Sequence, residues 1–198
     1  MADWDPIMID ALSEVMNMAV GGASELLSSM VQEEVILKVP KLEFGSLAEV
    51  HDTICKREGG DLVAIQEMFE GSFAGEALLI FPAQESLSLV AAIMDNGDLE
   101  ENLTEIAREA LMEIGNIILN SCLGTICNLL EYEIETSLPA FLSWKIDETD
   151  SDRKEGIFVH IDFQMKKTGT TGYLVIFMSQ SSQDTLHAGI SKLVESYG

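Results

Sequence analysis

The sequence predicts an α+β protein of two pseudo-twofold-related halves, each running helix, strand, hairpin, helix, with an antiparallel sheet and two long helices. Three observations predict it. Asp10-Ala-Leu-Ser-Glu14-Val-Met-Asn17 returns as Glu109-Ala-Leu-Met-Glu113-Ile-Gly-Asn116, 99 positions on. In both copies 22 residues separate the Asn from a proline, Pro40 or Pro139, in a chain with only four prolines. Each copy lies in a long stretch of helical apolar periodicity, and each is followed by β-rich runs joined through short turns. Two copies with a period near 99 make a duplication and not a solenoid. Residues 1–198 therefore read as a single domain of two repeats, about 1–98 and 99–198.

The first helix is expected from Asp5-Pro6, an N-cap and a first-position proline, to about Gln32. Steps of 100° put Met8, Ala11, Leu12, Val15, Ala19, Gly22, Ala23, Leu26 and Met30 on its inward side. Asp10, Ser13, Glu14, Asn17, Gly21, Ser24 and Ser28 gather on the outward side. Gly21-Gly22 costs about 1 kcal/mol per residue against Ala in a helix, so a close approach by the sheet or by a partner is expected there. Val35–Val39 reads as a strand ended by Pro40, with a short helix around 46–53 and a loop at 56–60. Leu62–Phe69 and Phe73–Phe81 read as a hairpin, and Gln84–Met94 as a helix before the Asp95–Asp98 turn.

The second half follows the same order. Asn102-Leu-Thr-Glu105 has the spacing of a capping box and opens a helix to about Glu131. Ala107, Ala110, Leu111, Ile114, Ile118, Thr125 and Leu129 face inward, and Glu105, Glu109, Glu113, Asn116 and Asn120 outward. A strand near 132–137, Pro139, an acidic loop at 147–155, a hairpin of 157–165 with 173–178 and a helix over 182–195 complete it. The return strands of the two hairpins match as Ala-Leu-Leu-Ile-Phe81 and Tyr-Leu-Val-Ile-Phe177.

A chain of 198 residues can bury about 70% of its unfolded surface and needs no staples. The acidic N-terminus lacks a secretory n-region, and no apolar run is expected to approach the ~20 residues of a membrane span. Cys55, Cys122 and Cys127 form no paired framework. A cytoplasmic protein is expected. The formal charge of −23 argues against nucleic acid and anionic membranes as partners, because both call for cations.

Glu and Asn at i and i+3 are neighbours on a helix surface. An Asn amide does not titrate, so the pair is a poor acid–base system, but it offers one acceptor and two donors at fixed geometry. That suits holding a water for in-line attack on an acyl-phosphate in another protein, where positioning dominates. The Glu beside it can meet a cation at the partner's site and set the register. The plainer reading of any one Glu-x-x-Asn is a solvated helix face. Duplication with matched prolines outweighs it.

This arrangement resembles the CheC family of chemotaxis phosphatases, related to CheX and to the middle domain of the switch protein FliY. The resemblance rests on Glu14, Asn17, Glu113 and Asn116, with Pro40 and Pro139 at the family's downstream spacing, and spans essentially the whole chain. It implies that each Glu–Asn helix enters the receiver domain of phosphorylated CheY. There Asn17 or Asn116 would orient the hydrolytic water, and Glu14 or Glu113 would contact the receiver's lysine. Asp10, Ser13, Gly21, Glu109 and Asn120 would line the partner contact. No cofactor is expected in this chain; Mg²⁺ would belong to the receiver. The deamidase CheD is a further implied partner. The family carries Asp or Ser four residues before the Glu, which Asp10 fits and Glu109 does not. Two motif copies, not the one of CheX, and the lack of a FliY-like C-terminal extension favour CheC. Both motifs are expected to be competent and both Asn side chains exposed. The alternatives are a non-catalytic module that captures phosphorylated CheY or CheD, and a FliY-like flagellar switch component.

Other candidates are weaker. Cys122 and Cys127 lie five apart on a helix without a neighbouring His, which does not suit zinc. His160 and Asp162 alternate on a strand without a nucleophile, so a satisfied sheet histidine is expected. Gly21-Gly22 and Gly59-Gly60 fit no phosphate loop. The acidic run 147–152 lacks the glycine and final Glu of an EF-hand.

Overall fold

The computed structural model describes residues 4–31, 34–94, 105–144, 155–165 and 169–197. The elements in order are α1 (Pro6–Val31), β1 (Val35–Ser46), α2 (Leu47–Glu58), β2 (Leu62–Gly71), β3 (Gly75–Pro82) and α3 (Ala83–Met94). They continue as α4 (Glu105–Leu130), β4 (Ile134–Thr136), β5 (Ala140–Ser143), β6 (Glu155–Met165), β7 (Gly169–Met178) and α5 (Gln180–Tyr197). One seven-stranded antiparallel sheet has the order β1-β6-β7-β3-β2, with β4 and β5 both on the far edge of β2. The order reads alike from either edge, with the β3–β7 pairing at its centre. Neither half pairs its first strand with its own hairpin: β1 joins β6, and β4 and β5 join β2.

Alternation along the strands divides the apolar side chains between two layers. Ile65, Ala77, Leu79, Leu174 and Ile176 face a large core covered by α1, α3, α4 and α5. Ala64, Leu78, Ile80, Tyr173 and Val175 face a smaller one closed by Leu47, Val50 and Ile54 of α2. The match between the hairpin return strands is therefore not a structural equivalence. Ala77 points into the large core and Tyr173 into the small one, so that alignment turns every side chain to the wrong face.

Local chemistry explains most element ends. Asp5 caps α1 by accepting the Met8 N–H at 2.9 Å. Ser46 and Glu49 form a reciprocal capping box that opens α2, which runs through Glu58 and past the expected 46–53. α4 ends where Glu131 turns left-handed and the Tyr132 N–H reaches Cys127 O at 2.9 Å. Pro40 does not end β1. The strand continues to Ser46 across a register break between Lys38 and Lys41, where a missing N–H costs no ladder bond. The strand expected near 132–137 is the shorter β4, and β5 joins the sheet directly after Pro139. The capping box at Asn102, the Asp95–Asp98 turn and the acidic run at 147–152 lie outside the described residues.

The seam of α1 also differs from expectation. Met16, Val20 and Leu27 are buried, whereas Leu26 and Met30 are 54% and 47% exposed. The buried stripe follows the i, i+4 row 8-12-16-20 around the helix as it crosses α4. Ser24 and Ser28 leave the outward face as well. Both hydroxyls bond Val35 O, and Ser28 Oγ accepts the Val35 N–H at 2.9 Å, so they anchor the start of β1. By length and composition α4 could cross a membrane, but half of its most apolar window is buried within the molecule.

The glycines show what small residues are for. A Cβ on Gly22 would stand 3.3 Å from Ser121 Oγ, where α1 crosses α4, and Ser121 donates to Ala19 O at 2.8 Å. At Gly22 the close approach is thus by α4 and not by the sheet. Beside Gly21 there is nothing within 4 Å. A Cβ on Gly115 would lie 2.5 Å from Ile65 Cγ2. Gly115→Ala is therefore expected to destabilise by about 1–3 kcal/mol through overpacking of α4 on β2. Gly21→Ala should be neutral or gain up to about 1 kcal/mol. Urea unfolding of the two variants measures the difference, and equal shifts would refute this account of α4 seating.

Candidate functional site

The two motifs emerge on the faces of α1 and α4 that lie opposite the buried seams. On α1, Leu12, Val15, Met16, Ala19 and Val20 are buried in the core, which fixes the helix and turns Asp10, Glu14, Asn17 and Gly21 to solvent. Ser13 is half-buried and donates its hydroxyl to Ile9 O at 2.8 Å, leaving its oxygen to accept from a partner. Among the described residues the Asn17 amide has no hydrogen-bond partner. Beside Glu14 an apolar groove of about 490 Å³ is lined by Ile7, Ala11, Val15, Met18, Leu129, Leu193 and Val194. Its rim is apolar too, for Ile7 is 64% and Met18 55% exposed.

The motif on α4 is built differently. Glu109 and Glu113 are exposed as expected, but Asn116 is half-buried. Its Oδ1 accepts from Asn120 Nδ2 at 2.9 Å, and its backbone oxygen accepts from the same nitrogen at 3.0 Å. That nitrogen also lies 3.2 and 3.4 Å from the two carboxylate oxygens of Glu67, so two N–H groups are shared among four acceptors. Thr136 Oγ1 donates to Asn120 Oδ1 at 3.2 Å and completes the ring of contacts. Asn120 is half-buried, and both ends of its amide are engaged within this chain. It lines a polar cleft of about 1120 Å³ with Glu70, Glu133, Glu135 and Thr136.

Glu67 was not singled out from the sequence. It is fully buried on β2, on the same strand face as Ile65 and Phe69. Burial pushes its carboxyl up to about 7, and the Asn120 donor opposes that only in part. The available signal was a single acid at an inward position of an otherwise apolar strand face.

The weaker candidates take structural places. Cys122 and Cys127 are buried in the large core, and burial pushes the Cys122 thiol up to about 12. His160 stacks on Tyr173 beside Arg57. Its Nε2 lies 3.2 Å from Asp162 Oδ1, at ion-pair distance but without hydrogen-bond alignment, so this atom is not the satisfied one expected.

Comparison with known proteins places the chain. It is 26% identical over 137 residues to the CheY-P phosphatase CheC of Bacillus subtilis, and 23% identical over 163 residues to that organism's flagellar motor switch phosphatase FliY. In sequence the chain is similar to members of the CheC/CheX/FliY family. The matches cover 66% and 79% of this chain, but only 64% of the curated CheC and 42% of the curated FliY. The fold is that of Thermotoga maritima FliY, with a TM-score of 0.78 at 20% identity over 96% of this chain and 98% of that one. A CheC-like protein from Shewanella superposes with a TM-score of 0.53 at 20% identity, covering 83% of this chain and 96% of that one. The middle domain of Helicobacter pylori FliM gives 0.68 at 10% identity over 93% and 99% of the two chains. No family model matches the chain.

The buried carboxyl makes stability depend on pH. Glu67 has an ordinary value near 4.5 when unfolded and about 7 when folded, so folding favours its protonated form. That contribution is fully present below pH 4.5 and is lost as pH rises through about 7. The urea midpoint of the wild-type protein is expected to fall from pH 5 to pH 8 relative to Glu67→Gln. Parallel pH dependence in the two proteins would contradict a neutral buried carboxyl.

Proposed function

We propose that this protein is a CheC-family phosphatase acting on the aspartyl-phosphate of a CheY-type receiver domain. What supports the reading is one observation: two long helices each carry Glu and Asn one turn apart, with Glu14, Asn17 and Glu113 exposed and Asn116 half-buried. A helix is stiff and narrow enough to bring such a pair into a concave site on another protein. Asn17 and Asn116 serve as the water-orienting amides, and Glu14 and Glu113 meet the lysine of the receiver. The acyl-phosphate and Mg²⁺ belong to the receiver, and the groups of this chain supply placement instead of a nucleophile. The names of the CheC and FliY relatives support the same reaction class.

A second reading is a module that captures the phosphorylated receiver without hydrolysing it. The engaged amide of Asn116 favours it at that motif, because one lone pair of its oxygen is already taken. Purified receiver, phosphorylated with a small-molecule donor, separates the two when phosphate loss is followed with and without this protein. Acceleration is expected, and Asn17→Ala with Asn116→Ala should reduce it at least tenfold, a barrier change of about 1.4 kcal/mol. Acceleration that survives the double substitution would refute the roles of these amides. Binding without acceleration would establish the capture module instead.

A further inference from the structure

The two motifs differ at one position. Asn120 stands four residues after Asn116, while Gly21 stands four residues after Asn17. Both are one turn beyond the motif Asn on the same helix face, so a side chain at this place lies against the motif amide. We infer that Asn120 and Glu67 are positioning residues for Asn116, holding its side-chain amide in one orientation at the second motif, a support that the first motif lacks. The inference rests on the proposed phosphatase reading and deepens it.

The geometry carries the inference in three steps. Glu67 is fully buried beneath α4, on a strand that pairs it with Ala77 of β3 and packs Ile65, two residues before it, against Gly115. Its carboxylate holds Asn120 Nδ2, Thr136 holds Asn120 Oδ1, and the Asn120 amide is thereby fixed at both ends. The same Nδ2 then takes the Asn116 oxygen, which leaves the Asn116 NH₂ and the second lone pair of that oxygen as its free groups. Asn17 has no such neighbour, and its amide takes its orientation only when a partner supplies one. A pre-set amide avoids the ordering cost that a free side chain meets on docking.

The hold on Asn120 depends on the charge of Glu67, since an ionised acceptor makes the stronger bond. The elements around it carry Glu105, Arg108, Glu109 and Glu113 on α4, Glu135 on β4, Glu70 on β2 and Glu76 on β3. Arg108, the single cation of α4, lies over the Phe141 ring, and Glu67 has no ion-pair partner among the described residues. Protonation through about pH 7 should therefore loosen Asn116 and leave Asn17 unaffected.

Side-chain amide NMR of the free protein tests this without any assay of activity. The Asn116 NH₂ signals are expected to titrate with a midpoint near 7 and to be less mobile than those of Asn17. Asn120→Ala and Glu67→Gln should each abolish the titration, with backbone spectra showing that both variants fold. Asn116 signals as mobile as those of Asn17, or indifferent to both substitutions, would overturn the inference. Phosphate-loss kinetics then test the consequence. In an Asn17→Ala protein, Asn120→Ala should lower the maximal rate about three- to tenfold and move the half-saturating receiver concentration less than about twofold. The maximal rate of Asn17→Ala protein relative to Asn116→Ala protein should fall from pH 8 to pH 6, and Glu67→Gln should flatten that ratio. A flat ratio in the presence of Glu67 counts against the inference. If neither single-motif protein accelerates phosphate loss, the phosphatase reading falls and the NMR titration alone decides whether Asn116 is held.

Discussion

The crossing of α1 over α4 is the constraint on which the rest of the molecule depends. Gly22 and Ser121 meet there, 99 positions apart, and Ser121 ties its helix to Ala19 O of the other. Positions separated by the repeat thus touch where the helices cross, as a local twofold requires. With the two apolar seams turned toward each other and the sheet, the opposite faces have nowhere to go but solvent. A helix buried along one stripe has no freedom to rotate without exposing that stripe, so packing sets Glu14, Asn17 and Glu113 outward. The sheet reinforces the crossing, because each half completes its edge with the first strand of the other.

Much of this was legible in the sequence, and the exceptions have physical causes. Asp5-Pro6, the two hairpins and the periodicity of α1 and α4 act over a few residues, so their elements stand close to where the sequence places them. β1 runs past Pro40 because β6 supplies partners on both sides of a bulge, which no local pattern discloses. The second core under α2 was missed for a related reason. Its partners Ala64, Ile80 and Tyr173 alternate with residues of the main core, and the same alternation betrayed the apparent match of the return strands. At the site, Glu14, Asn17, Glu109 and Glu113 stand outward as their helix phase dictates. The engagement of Asn116 was not legible, because Glu67 lies 53 residues before Asn120 and joins it only through the sheet.

The consequence is that a duplicated motif does not make a duplicated site. Asn17 stands free above open space at Gly21, beside an apolar groove that α5 helps to line. Asn116 is half-buried over a carboxyl that titrates near neutrality and opens on a polar cleft. On the proposed reading both supply the same amide to the same kind of partner, but one is flexible with an apolar flank and the other is held with a polar one. The two environments differ at Gly21 and Asn120 and in what β2 places beneath the helix.

The central claim, that each Glu–Asn helix docks into an activated receiver, is tested most directly by counting. Native mass spectrometry or calorimetry can be run with a receiver held active by beryllofluoride, which mimics the aspartyl-phosphate and cannot be hydrolysed. Two receivers per chain are expected, one after Glu14→Lys or Glu113→Lys, and none after both. Undiminished binding in the doubly substituted protein would place the partner elsewhere and contradict the account.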